Sequence, residues 1–307
     1  MKVAVMGAGG VGGYFGARLA LSGCDVHFIA RGAHGAAIRA HGLKVTSPFG
    51  DLHVANAQVT ETPQGIGEVD VVLFGVKLWD TQSAAEAIRP LVGPNTAVIS
   101  FQNGVVKDEI LSAALGPQAV AGGVCYIAAS IASPGVIAHV GQLQKLVFGE
   151  YDGRPSERLQ RFQQACQAAG IDAEISPDIR KTIWEKFVFL VGLSAMTAVT
   201  RSSIGKVRAH PGSRRVLQQI IEEAVAVGRA QGVPLAADFA ADRMRFCDGL
   251  PEAMISSMAH DLERGNRLEV HWLSGDVARR GAALGVPTPA NAFVHDVLAL
   301  HAEGRKS

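Results

Sequence analysis

Glycines at positions 7, 9 and 12 constrain this chain more than any other residues. They follow a short apolar run, Lys2–Met6, that reads as a buried strand, and they open a stretch, residues 11–21, that reads as a helix. A Gly-x-Gly-x-x-Gly pattern is weak alone, but between a strand and a helix it has a mechanical meaning. The first glycine permits a tight turn, the second lets the backbone approach a pyrophosphate, and the third lets helix and strand pack closely. The helix N-terminus then presents amide donors and the positive end of its dipole to the phosphates. A glycine-rich turn without a ligand is the plain alternative, and the strand–turn–helix context disfavours it. Gly7, Gly9, Gly10, Val11 and Gly12 are therefore the expected dinucleotide contacts.

The alternation continues along the first half of the chain. Residues 25–30, 69–74 and 96–100 are short, β-branched runs between helical patterns, which implies a parallel sheet covered on both faces. Leu43–Thr46 and Leu52–Val54, joined across Pro48-Phe49-Gly50, read as a hairpin inserted into that pattern. Residues 136–148 add further strands after the turn Ser133-Pro134-Gly135. Beyond Pro177 strand signals fade and long helical patterns take over, at 178–199, 213–231, 251–264 and 266–284. The fold expected is α/β: a Rossmann-type parallel-sheet domain over residues 1–176, then an all-helical domain over 177–307 for substrate binding and dimerisation.

The choice of dinucleotide turns on the end of the second strand. An NAD site wants an acid there for the ribose hydroxyls. This chain reads Val26-His27-Phe28-Ile29-Ala30-Arg31, with an arginine where the acid would be. A guanidinium can grip a 2′-phosphate with two bonds, so NADP(H) is the expected cofactor. Bulk properties exclude other partners. Net charge is +1 without a long basic run, which argues against nucleic acid. No run of about 18 uncharged apolar residues suggests a membrane span, and the N-terminus lacks a cleavable signal pattern. Cys24, Cys125, Cys166 and Cys247 lie far apart with no paired spacing, so no metal site is expected and reduced thiols in a cytoplasmic protein are the simpler reading.

Several short motifs, in this order and spacing, resemble the ketopantoate reductase family over nearly the whole chain. They are Gly7-Ala8-Gly9-Gly10-Val11-Gly12, Arg31-Gly32, Val76-Lys77, Gln102-Asn103-Gly104, Trp184-Glu185-Lys186, and Ser256-Ser257-Met258 with Asp261 and Glu269 beyond. The resemblance implies a Rossmann-type domain and a helical domain with the site in the cleft between. It implies NADPH reduction of a small 2-oxo acid to a 2-hydroxy acid, ketopantoate to pantoate by default, a step of pantothenate biosynthesis. It assigns Lys186 as general acid, Lys77 a place beside the cofactor, and Asn103 a place near nicotinamide and substrate. Ser257 would bind substrate, Glu269 would touch the cofactor ribose or orient the lysine, and Ala128 would offer the cofactor a backbone contact.

These roles make chemical sense. Hydride delivery to a ketone builds negative charge on its oxygen, which a nearby ammonium stabilises and then protonates. Lys186 lies among Trp184, Phe187, Val188 and Val191, so its stem is expected to be partly buried, and desolvation favours release of its proton. A snorkelling surface lysine is the alternative. Lys77 ends the run 71–76, at a strand end that faces the ligand crevice of such sheets. Asn103 precedes a helix and has N-capping as its plain alternative. On one unbroken helix Ser257 and Glu269 would lie about 18 Å apart, and Gly265-Asn266 supplies a break between them. Asn266 and Glu269 also have capping-box spacing, an alternative role for the glutamate. His139, His260 and His271 read as structural or exposed, and the apolar stripe of residues 291–301 as core or interface.

The chain departs from the family on the lysine helix. Where the family carries asparagines four and eight residues after the lysine, this chain has Leu190 and Ser194, and Ile204 replaces a third before Gly205. Ser194 keeps a hydroxyl and stays among the expected substrate contacts. Each lost hydrogen bond to a charged group costs about 1.5–3 kcal/mol, so the acid recognised is expected to differ. A bulkier or more apolar 2-oxo acid is one alternative to ketopantoate. A non-catalytic NADP-binding sensor is the other, disfavoured because Lys186, Ser257 and Glu269 are kept. A homodimer is the assembly left open.

Overall fold

The structure, a computed structural model, describes residues 1–305. The chain divides into two compact units, the first formed by Met1–Asn103 and Lys107–Thr182, the second by Gly104–Val106 and residues from Ile183 onward.

The first unit is built on ten strands: β1 (Lys2–Met6), β2 (Asp25–Ile29), β3 (Leu43–Thr46), β4 (Leu52–Val54), β5 (Gln58–Thr60), β6 (Val71–Phe74), β7 (Ala97–Ser100), β8 (Val120–Ser133), β9 (Val136–Gly149) and β10 (Asp172–Ile175). They lie in the order β4-β3-β9-β8-β7-β6-β1-β2-β5, with β10 on β9. From β5 to β8 all neighbours are parallel. With the β3–β4 hairpin set aside, that stretch has the 3-2-1-4-5-6 order of a Rossmann sheet. Strands β6 and β7 are buried at every position, and all but Ser100 are apolar, as a parallel sheet covered on both faces requires. Successive residues of β1 feed opposite cores: Val3 and Val5 pack on one side and Ala4 on the other.

Helices α1 (Gly10–Leu21), α2 (Gly32–His41), α3 (Thr81–Ala87), α4 (Lys107–Leu115) and α5 (Glu157–Ala168) complete this unit. The hairpin expected at 43–54 forms as an antiparallel pair. Strand β8 was not foreseen, because its Val-Ala-Gly-Gly start has little strand propensity. Its long antiparallel pairing with β9 supplies the order instead. At the base of α4, buried Lys107 donates to the carbonyls of Ser100 and Gly123 and to the Asp108 carboxylate, which also accepts from the Tyr151 hydroxyl.

The second unit has helices and no strand among its described residues: the greater part of α6 (Ile179–Thr200), then α7 (Ile204–Ala209), α8 (Pro211–Ala230), α9 (Phe239–Asp248), α10 (Ser257–Arg264), α11 (Ser274–Leu284) and α12 (Pro289–Ala299). By length and composition α6 would pass as a membrane span, but 67% of its most apolar 18-residue window is buried inside the protein, as in a core helix. Gly192 lets it approach Ile221 and Leu217 of α8, since a Cβ there would lie 2.8 and 3.1 Å from their side chains.

Two long helices expected from the sequence are shorter. Residues 251–264 are helical only from Ser257, because the carbonyls of Glu252 and Met254 are engaged by the amides of Gly205 and Ile204 at the start of α7. Residues 266–284 become α-helical only at Ser274. Upstream, the Leu268 amide bonds the Ala302 carbonyl and the Arg305 amide bonds the Gly265 carbonyl, which holds this stretch out of helix. The C-terminal helix carries two apolar faces: Val294 and Leu298 are buried, while Phe293, Val297 and Leu300 are exposed.

Buried Glu223 of α8 closes the N-terminus of α12. Its carboxylate accepts from the amides of Ala290 and Asn291 at 2.9 Å and from Asn291 Nδ2 at 2.8 Å. Negative charge at a helix N-terminus is favourable, and three donors lose their acceptor without it. Glu223→Ala is expected to lower stability by roughly 2–4 kcal/mol in urea denaturation, with Glu223→Gln falling in between. A loss under about 0.5 kcal/mol would show that the cap contributes nothing.

Candidate active site

Register gathers the expected positions of the first unit. Met6 of β1 lies opposite Ile29 of β2 and Phe74 of β6, and Phe74 opposite Ser100 of β7, so four parallel strands end level. The residues that follow these ends are the Gly7–Gly12 turn, Arg31, Lys77 and Asn103. Eight of the expected positions are thereby gathered at the carboxyl edge of the sheet, where ligands of such sheets bind. Ala128 joins them by another route. Only Val120 and Ala121 of β8 pair with β7, and the rest of the strand runs on beyond the edge, with a bulge between Ile127 and Ala128. The next carbonyl, that of Ala129, lies against Gly10.

Each glycine of the turn has a different reason. Gly7 has φ +96°, and a Cβ there would fall 2.9 Å from the Val76 amide nitrogen. At Gly12 it would fall 2.2 Å from the Gly7 carbonyl oxygen and at Gly10 2.2 Å from that of Ala129. These three glycines are packed backbone against backbone. Gly9 is not: a Cβ there would meet nothing within 4 Å. Its bare backbone faces open space, as a closely approaching phosphate needs. The first bond of α1 runs from the Gly13 amide to the Gly9 carbonyl, so the earlier amides have no acceptor within the helix. No side chain among the described residues caps this end, and its first turn holds no acid. The glycine turn, its open space at Gly9 and the uncapped helix end fit a dinucleotide.

Arg31 stands at the N-cap of α2 with 73% of its side chain exposed, and its guanidinium lies 3.4 Å from the Asp80 carboxylate. Lys77 is exposed, with its ammonium 5.6 Å from the Trp79 ring centroid. Asn103 is half-buried but does not cap α4, which starts four residues later at Lys107 because 104–106 intervene. Two residues here went unassigned in the sequence. Buried Gln102 accepts from Ser100 Oγ at 2.9 Å and donates from Nε2 to the Val76 carbonyl and to Thr81 Oγ1, which pins the turn bearing Lys77. His34 is bonded through both ring nitrogens to backbone groups, one of them in the glycine turn. Nothing in the local sequence pattern marks either role, since their partners lie far along the chain.

In the second unit α6 runs unbroken through Lys186, Leu190 and Ser194. Their spacing puts them on one face, half-buried at Lys186 and Leu190 and closed at Ser194. The Ser194 hydroxyl is buried without a hydrogen-bond partner among the described residues. Thr197 lies on the same side; its hydroxyl donates to the Leu193 carbonyl and meets Ser256 Oγ at 2.9 Å. Ser256 in turn caps α10 through the Ala259 amide, so Ser256 is the structural serine and exposed Ser257 opens the helix. Ile204, at the start of α7, is fully buried.

Glu269 sits after the expected break, where Gly265 adopts φ +71° at the end of α10. Its neighbours Leu268 and Val270 are buried, which leaves Glu269 half-buried between two anchors. The capping box does not form: Asn266 bonds back to Asp261, and α11 starts only at Ser274. His271 Nδ1 lies 2.9 Å from His295 Nε2 and ties this turn to α12; burial, then the neighbouring imidazole, hold His271 below the usual histidine range. His139 is buried on β9, bonded to Ser47 and the Leu143 carbonyl, and His260 is exposed near Glu263.

Sheet order, glycine turn and uncapped helix end define the first unit as a dinucleotide-binding domain. Comparison with known proteins extends this to the whole chain. The sequence profile of ketopantoate reductase PanE/ApbA matches residues 3–153, and that of its C-terminal domain residues 178–302. The 2-dehydropantoate 2-reductase of Mesorhizobium japonicum is 32% identical over 98% of this chain and 96% of its own. An uncharacterized oxidoreductase of Bacillus subtilis, YkpB, is 30% identical over 98% and 99%. The crystal structure of a PanE/ApbA family ketopantoate reductase from Ralstonia eutropha superposes with a TM-score of 0.89 at 38% identity, covering 98% of each chain. The chain belongs to the ketopantoate reductase family. It is an oxidoreductase of the 2-oxo-acid and 2-hydroxy-acid type that uses a nicotinamide dinucleotide.

The glycine geometry separates binding from folding. Gly9→Ala is expected to cost under about 1 kcal/mol of stability while weakening dinucleotide binding about tenfold or more. Gly10→Ala, which collides with the Ala129 carbonyl, is expected to cost roughly 1–3 kcal/mol. Thermal denaturation and fluorescence titration with NADPH check both; equal effects of the two variants on stability would contradict the assignment.

Proposed function

We propose that the protein reduces a 2-oxo acid with NADPH, with Lys186 as the proton donor and ketopantoate as the default substrate. The observation that carries this reading is Lys186 itself, half-buried on an unbroken helix otherwise rich in apolar residues, at the position where the family resemblance places the general acid. The bound dinucleotide supplies the hydride. The chain's residues do the rest: the Lys186 ammonium stabilises charge on the substrate oxygen and then gives it a proton. Glu269, held between Leu268 and Val270, orients the lysine or the cofactor ribose. Ser257 and Ser194 bind the substrate, Asn103 lies at the nicotinamide end, and Lys77 and the Ala128 backbone lie along the cofactor.

Arg31 supports the preference for NADPH. An exposed ion pair like that with Asp80 contributes about 1 kcal/mol or less, so a 2′-phosphate can take the guanidinium from it. A second reading, a bulkier or more apolar acid, has its own observation. Leu190 replaces an amide one turn from Lys186, and Phe189 beside it packs edge-to-face on half-exposed Phe246, ring centroids 4.9 Å apart. This wall suits a branched or aromatic side chain better than a hydroxylated one.

Lys186→Ala is expected to lower kcat about 100-fold to 10,000-fold with the NADPH dissociation constant within about twofold of wild type. Retained turnover would remove Lys186 as the acid, and lost NADPH binding would make its role structural. Ser194→Ala deletes an unpartnered hydroxyl, so stability should hold or rise while KM for the 2-oxo acid rises about three- to tenfold. An unchanged KM would take Ser194 out of the substrate site.

A further inference from the structure

We propose that His34 is a positioning residue for the dinucleotide turn: its imidazole clamps the Gly7–Gly12 loop to the β8–β9 turn and holds the loop in its binding shape. It rests on the dinucleotide reading of that loop but adds a residue to which no role there has been assigned. His34 projects from the first turn of α2, one turn after Arg31. Its Nε2 lies 2.8 Å from the carbonyl oxygen of Ala8, between the first two glycines. On its other side the Gly135 amide donates to Nδ1 at 3.1 Å. Because Nδ1 accepts, the proton is on Nε2, which donates to Ala8; the two partners fix one neutral tautomer. One ring thus joins three segments of the chain, of which the β8–β9 turn lies more than a hundred residues beyond the other two.

The turn needs such a clamp. Ala8 is buried between two glycines, and Gly7 can adopt conformations closed to other residues. If the turn flips, the Gly9 backbone and the first amides of α1 no longer point at one spot. A preformed loop binds more tightly because its ordering is already complete before the ligand arrives. The second bond is equally placed. Gly135, at φ +79°, sits against α2, where a Cβ would lie 3.2 Å from Ala37 Cβ, so the β8–β9 turn forms a fixed anchor. The same hairpin brings the Ala129 carbonyl against Gly10. His34 and Ala129 therefore brace the glycine turn from two points of one hairpin.

The experiment compares wild type, His34→Ala and His34→Gln. Gln can both donate and accept at its amide and can replace one or both bonds. Hydrogen exchange over residues 7–13 in the unliganded protein and fluorescence titration with NADPH are read alongside KM for the 2-oxo acid and thermal midpoint. The clamp predicts that His34→Ala speeds exchange in the loop and raises the NADPH dissociation constant about tenfold, equivalent to about 1.4 kcal/mol. It predicts that KM for the acid moves less than about twofold, and that His34→Gln recovers much of the loss. Unchanged exchange over the loop overturns the proposal, as does a uniform loss of stability that weakens NADPH and acid together and that Gln does not relieve. Should wild type bind no dinucleotide, the cofactor reading fails, and the exchange measurement still decides whether His34 holds the loop.

Discussion

Backbone packed directly on backbone at the end of β1 is the constraint on which the rest of this structure depends. Gly7 lies against the Gly75–Val76 peptide, Gly12 against the Gly7 carbonyl and Gly10 against the Ala129 carbonyl. A side chain at any of the three would push apart two elements of the sheet's carboxyl edge. With none there, α1 starts immediately after β1 and its free amides stand over the point where the strand order reverses. The level ends of β2, β6 and β7 then bring Arg31, Lys77 and Asn103 to the same edge without any contact among their side chains being needed.

The helical unit uses another device. Its helices are short or interrupted where polar groups from distant segments cap them. Glu223 closes α12, Ser256 closes α10 while bonding Thr197 of α6, and the carbonyls of Glu252 and Met254 receive the first amides of α7. These bonds fix where α10 begins relative to the helix of Lys186. The last of them also explain why residues 251–256 are not α-helical although their composition permits it. Two positions proposed as functional fall at such interruptions: Ser257 just after one cap, Glu269 a few residues after the left-handed turn at Gly265.

What could be read from the sequence follows from this contrast. The glycine turn, the buried strands and the β3–β4 hairpin are local patterns and were legible, as was the break at Gly265 before Glu269. Residues whose partner is remote were not. His34 reaches Ala8 and Gly135, and Gln102 reaches Val76 and Thr81, with no periodicity to announce either. Strand β8 owes its order to pairing with β9 rather than to its own residues. Local spacing also misled: Asn103 and Asn266 both look like helix caps, yet α4 and α11 begin four and eight residues after them. Ile204, where the family carries an asparagine, is fully buried.

The measurement that tests the central claim most directly is dinucleotide oxidation by the wild-type protein over a panel of 2-oxo acids, with NADPH and NADH in parallel. The panel should include ketopantoate and acids with small, branched and aromatic side chains. The account predicts turnover with NADPH favoured over NADH and with one 2-oxo acid clearly preferred, either ketopantoate or an acid whose side chain suits the Phe189–Leu190 wall. Tight NADPH binding with no turnover on any 2-oxo acid would contradict it.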